Sequence, residues 1–227
     1  MTPAVTPSER AKELRARVLA EARANPSPSR QDVARRGAGS VVIAVSVMLA
    51  MFFVVGGPHA TTRAHWLVLV TGLAWGAIAF VATRLAVGRG PMMLGASRSA
   101  LLGVAVLVAP LLAVTWFMQP SPVVTQAIAH GYRIDAVCFA VTMALAFAPF
   151  VAFLVLRKEG DPVKPGVTGA AIGAAAGAWG AMLIDLHCEL TDPRHVLVGH
   201  VLPVVVFAAL GALVGRSSLA VRPSSQP

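Results

Sequence analysis

The chain has 227 residues, 56% of them apolar or aromatic (AVILMFWYC) and only 13% charged, with 19 Lys and Arg against 10 Asp and Glu for a net charge of +9. Two cysteines exclude a disulfide-dense secreted scaffold, and the hydrophobicity excludes a disordered chain. A soluble basic nucleic-acid domain is excluded because the apolar residues run continuously instead of recurring on one face.

The first 37 residues form a separate, basic unit. Thr6-Pro7-Ser8-Glu9 matches a capping box with proline at the first helical position, and Asn25-Pro26 ends the segment, so a helix is predicted over residues 7 to 24. Ala11, Leu14, Val18 and Ala22 lie along one face of it. So thin a stripe gives a helix that is marginal alone and gains from a partner. Two partners suit it: an anionic lipid surface, or a protein on which Leu14 and Val18 anchor while Arg15 and its neighbours meet acidic groups. Direct nucleic-acid binding is disfavoured, because acids are interspersed and the segment has no aromatic residue. No apolar stretch precedes residue 37, so no cleaved signal peptide is expected.

Beyond the tail, charged residues leave uncharged intervals at 37–62, 64–83, 99–132, 136–156, 165–184 and 195–215. Each holds the roughly 20 apolar residues that a helix needs to cross a bilayer. The expected fold is therefore all-α, a polytopic bundle of six transmembrane helices near 40–57, 64–83, 100–118, 136–156, 166–185 and 196–214. The six-helix domain occupies residues 38–216, preceded by the cytoplasmic tail 1–37 and followed by a short cytoplasmic tail, 217–227. Gly56-Gly57-Pro58-His59 and Gln119-Pro120-Ser121-Pro122 interrupt the two longest intervals. Sixteen of the nineteen basic residues fall on one side of this topology, and only Arg63, Arg133 and Arg194 on the other. Basic loops stay in the cytoplasm, so both termini should face it and the loops with His59, His130 and His195 should face outward, as in a multi-pass membrane protein.

The fifth span repeats Gly169, Gly173 and Gly177, with Ala181 following, and Gly211 and Gly215 end the sixth. Small residues at this spacing make a face for close helix contact, within the bundle or between copies. Pro110, Pro149 and Pro203 lie inside spans and are expected to kink them.

All six histidines (His59, His65, His130, His187, His195 and His200) and both cysteines fall toward the outer side of this topology. Cys138 begins the fourth span, and Cys188 ends the fifth within a run holding Asp185, His187, Glu189, Asp192 and His195. Cys138, Cys188, His187 and His195 are the candidate metal ligands. The same thiols could cycle between dithiol and disulfide, or form a structural bridge, since no compact metal motif fixes the choice. A transition-metal ion is the one cofactor suggested, and nothing requires it. Asp185 and His200 are the ionisable groups expected within the bilayer boundary, where a polar partner or snorkelling to the interface is needed.

The tail sequence Pro7 to Val18 (PSERAKELRARV), six spans, a cysteine at the outer end of the fourth, and Leu186-His187-Cys188 followed by His195, His200 and Leu210 to Arg216 (LGALVGR) together resemble the NrsF-type integral-membrane anti-sigma factors. The resemblance implies that the tail holds an extracytoplasmic-function sigma factor. It also implies that Cys138 and Cys188 sense metal or oxidative stress. The tail lacks the His and Cys set of the soluble zinc-binding anti-sigma class.

No nucleophile elbow, phosphate loop or pair of carboxylates in one span is present, so an enzyme is not expected. The competing reading is a six-span metal- or haem-binding component of redox chemistry or transport. Against it, no two histidines lie deep in facing spans and no line of charge marks a pathway.

Overall fold

The computed structural model describes residues 7–24, 30–58, 65–87, 96–117, 132–158, 164–190 and 192–219, and all regular structure among them is helical. The helices are α1 (Pro7–Ala24), α2 (Arg30–Val54), α3 (His65–Val87), α4 (Arg98–Phe117), α5 (Tyr132–Lys158), α6 (Pro165–His187), α7 (Pro193–Val196) and α8 (Leu202–Ser218). A π-helical segment, Leu197–Val201, joins α7 to α8 without a break. The chain divides into two compact units, Met1–Gly39 and Ser40–Pro227.

In the first unit, α1 covers the predicted 7–24 helix, with Glu9 in its first turn and Arg23 in its last, both complementing the helix dipole. Leu14, Val18 and Leu19 are all exposed. The capping residue Thr6 and the terminating Asn25-Pro26 lie outside the described residues.

In the second unit, each predicted apolar run falls on a helix. Four helical stretches are long and apolar enough to cross a membrane: Val68–Val87, Arg133–Arg157, Pro165–His187 and Pro193–Ser218. Two further stretches, Ala38–Val54 and Arg98–Val114, are apolar but shorter, so among the described residues four helices meet the length that six were expected to meet. For α2 the cause is local. Gly57 N–H donates to Phe52 O and Gly56 N–H to Phe53 O, a Schellman closure that ends the helix. It requires positive φ at Gly56 (123°) and Gly57 (65°), which glycine adopts without strain. The Gln119-Pro120-Ser121-Pro122 break, His59 and His130 lie outside the described residues.

The helix α6 is the centre of this unit and packs against α3, α4, α5 and α8. Its glycine face meets α8 so closely that a Cβ at Gly169 would strike Gly211 O, and one at Gly173 would strike Phe207 O. The face is therefore used within the chain. On another side, a Cβ at Gly180 would come 2.6 Å from Thr142 O of α5. Polar ties fix the contact with α3: Trp179 Nε1 donates to Thr83 Oγ1 at 3.0 Å, and Thr71 Oγ1 donates to Asp185 Oδ2 at 3.1 Å. Asp185 is thus buried against α3 and does not snorkel.

The outer helices bury one stripe each: Thr71, Trp75, Ala79, Ala82 and Ala86 on α3, and Leu101, Val104, Val108 and Leu112 on α4. Their opposite faces are equally apolar, with Leu69, Leu73, Phe80, Leu107 and Leu111 exposed. An exterior of this kind is an aggregation hazard in water and the natural surface of a protein in lipid.

Candidate functional site

The start of α5, the end of α6 and the joined α7 and π segment converge at one end of the second unit. Cys138, Cys188, His195 and His200 meet there, all buried, and one donor atom from each lies within 4.8 Å of the others. The cysteines are 50 residues apart in sequence, yet their Sγ atoms are 4.0 Å apart and unbridged. Helices α5 and α6 are antiparallel neighbours, so an early residue of one lies beside the residue that closes the other.

His195 Nε2 is 3.2 Å from Cys188 Sγ, and its Nδ1 is 2.7 Å from Asp135 Oδ1. Asp135 precedes Cys138 by three residues on α5, so helical spacing puts both side chains on one face. Arg194 lies 3.8 Å from the other carboxylate oxygen, Oδ2. Asp192 caps α7 by accepting the backbone N–H of His195 at 3.1 Å, which fixes where that ring starts. Beyond the end of α6, the Cys188 thiol is pushed below its ordinary range by the hydrogen bond with Cys138, with the imidazoles of His195 and His200 acting in the same direction against burial.

The π segment explains how His200 joins. Pro203 has no N–H, so it cannot give Gly199 O the bond that an α-helix would require. That carbonyl instead accepts Thr142 Oγ1 at 2.9 Å, which ties the distorted turn to α5. The distortion is where the expected irregularity at Pro203 resides. Gly199 also lets the chains meet, since a Cβ there would lie 3.0 Å from the Cys138 Cβ.

Of the residues singled out in the sequence, Cys138, Cys188 and His195 are brought together and His187 is not. His187 Nδ1 lies 2.7 Å from Gly57 O: one helical step from Cys188, its ring points to α2's closing turn and is not among the four clustered residues. Its place in the cluster is taken by His200. Asp135, Thr142 and Gly199 were not foreseen, although the Asp135 and Cys138 spacing was readable. Leu14, Arg15 and Val18 belong to the first unit, on α1, with all three side chains exposed.

Among the described residues all regular structure is helical, four helices are long and apolar enough to cross a membrane, and two buried thiols lie beside imidazoles at one end of the second unit, which defines a helical protein of membrane type. Within that class, the profile of the NrsF family, described as negative regulator of sigma F, matches residues 21–220, and the chain belongs to that family. The family description makes it an anti-sigma factor, a regulator whose partner is a sigma factor. No curated protein and no solved structure matches the chain significantly.

Proposed function

We propose that the chain is a six-span anti-sigma factor of the bacterial inner membrane, with both termini cytoplasmic. It holds an extracytoplasmic-function sigma factor through the tail 1–37 and releases it when a periplasmic metal or redox signal reaches Cys138 and Cys188. The tail 217–227 is the cytoplasmic end of the 38–216 transmembrane domain. The observation that carries the sensing part is the 4.0 Å approach of two thiols contributed by different helices. Any bond formed between them, direct or through an ion, clamps α5 to α6. Because α6 packs against most of the other helices in its unit, a shift at its Cys188 end has neighbours on which to act. The basic asymmetry supports the orientation, and the exposed Leu14 and Val18 beside Arg15 support a docking role for α1.

A reporter driven by the cognate sigma factor tests this reading. Cys138→Ser and Cys188→Ser should give the same defect under metal or oxidant challenge, and the double variant should be no worse than either, because the pair acts as one unit. Normal induction in both single variants would overturn the sensor role. Direct binding of promoter DNA by the tail would overturn the anti-sigma mode.

A further inference from the structure

We propose that Cys138, Cys188, His195 and His200 form a closed tetrahedral site for one divalent cation of the Zn2+ type, with Asp135 as the positioning residue behind His195. Four features of the cluster carry this assignment.

The first is spacing. A tetrahedral ion bound at about 2.3 Å to sulfur and about 2.0 Å to nitrogen sets sulfurs about 3.8 Å apart and sulfur about 3.5 Å from nitrogen. The cluster has 4.0 Å between the sulfurs and 3.2 Å from Cys188 Sγ to His195 Nε2, so small side-chain adjustments complete the polyhedron.

The second is His200. The residue is 1% exposed, yet no nitrogen or oxygen of the described residues hydrogen-bonds either ring nitrogen, and its polar neighbour is the Cys188 thiol. A buried imidazole left so is costly, by about 1–3 kcal/mol for an unsatisfied polar group. Its ring centroid is 5.3 Å from that of His195, and its donor atom lies within the four-residue cluster. An ion supplies the missing partner.

The third is the π segment. At 3.6 residues per turn, residues five apart on an α-helix diverge by about 140°. A π turn bonds residue i to i+5 and returns the second side chain over the first. Leu197–Val201 is that turn, and it is what brings His195 and His200 to one side. Pro203 and Thr142 stabilise the distortion, so the helix departs from regularity at the one place where two imidazoles must converge.

The fourth is the arrangement around His195. Its Nδ1 is held by Asp135 while Nε2 faces the sulfurs, the carboxylate–histidine geometry that orients metal-ligating imidazoles. Two sulfurs and two imidazoles favour a tetrahedral ion over Mg2+ or Ca2+, which take oxygen ligands. As thiolates the cysteines contribute two negative charges, so the loaded site is neutral, as burial demands. The two thiol protons leave to solvent when the ion enters, and no electron is transferred.

The site deepens the sensor reading and rests on it only for regulation: the ion would clamp α5, α6 and the α7–α8 helix together. Cobalt titration of the purified full-length chain in detergent micelles tests it. Wild-type protein should bind one Co2+ with the visible bands of tetrahedral coordination and a thiolate charge-transfer band. Asp135→Asn should keep the spectrum and weaken binding about 10- to 100-fold. His200→Ala should lose the tetrahedral bands, whereas His187→Ala should alter neither spectrum nor affinity. X-ray absorption on zinc-loaded wild-type protein, which depends on no variant, should read two sulfur and two nitrogen neighbours. Octahedral cobalt, a four-sulfur shell, or unchanged binding in a His200→Ala protein of normal helicity would overturn the site. A reporter that responds to oxidant while the protein binds no metal overturns the site and leaves thiol sensing standing. A loaded site with an unresponsive reporter overturns the sensor reading and leaves the site.

Discussion

The contact between α6 and α8 offers a perturbation whose size follows from the coordinates. At Gly173, an added Cβ would fall on the backbone of Phe207 and come within 3.0 Å of Ala208 Cα. Backbone cannot turn aside as a side chain can, so Gly173→Ala must push the two helices apart by about 1.5 Å to restore ordinary van der Waals distances. A gap of that size forfeits at least about half of the dispersion attraction where the seam opens. Overpacking of this kind costs about 1–3 kcal/mol, at the upper end here because the obstacle is main chain. Gly103 on α4 is the control, since a Cβ there meets nothing within 4 Å. Gly103→Ala should gain about 1 kcal/mol from helix propensity alone. Unfolding in mixed micelles, followed by helicity, should therefore rank Gly103→Ala above wild type and Gly173→Ala below it. The same displacement carries His195 and His200 away from Cys188, because they lie on the helix that leads into α8, so thiol reactivity of Gly173→Ala should change with its stability. A Gly173→Ala protein as stable as Gly103→Ala would refute the close packing.

Replacing Leu14 and Val18 together by Asp should release the sigma factor in co-purification, whereas wild-type retention, or a tail peptide that binds only anionic vesicles, would assign the tail to lipid. Reporter fusions at residue 190 should be active only with a periplasmic reporter, and cytoplasmic activity there would refute the orientation. Thr71→Val removes a hydrogen bond from the buried Asp185 carboxyl and should lower stability by about 1–2 kcal/mol, read in the same micelle unfolding assay. No loss would mean that the bond between α3 and α6 contributes nothing net.

Much of the molecule was legible because its signals are local. Uncharged runs placed helices α2 to α8, since the backbone in an apolar medium has few ways to satisfy its hydrogen bonds and a helix is the nearest. Gly56-Gly57 marked the end of α2 through a conformation that glycine favours. The glycine repeat of α6 announced a close contact, and the tail's capping box with its first-position proline announced α1.

The site was legible only in part. Cys138, Cys188 and His195 stood out by residue type, and Asp135 could have been found by its helical spacing from Cys138. His187 was a plausible ligand because it adjoins Cys188, but adjacent residues on a helix point about 100° apart, and the ring instead faces Gly57 O. His200 could not be paired with His195 from sequence, because five residues is not a helical repeat. The pairing depends on Pro203 withholding an N–H and on Thr142, 57 residues earlier than Gly199, donating its hydroxyl to the stranded carbonyl. The sequence by itself determined which segments are helical, where the charge lies and which residue types are reactive, all consequences of composition along a few turns. Only the tertiary structure decided that α6 would be the central helix, that its glycines would face α8, and that four donors would converge, because a convergence of three chain segments depends on packing distances that no local pattern records.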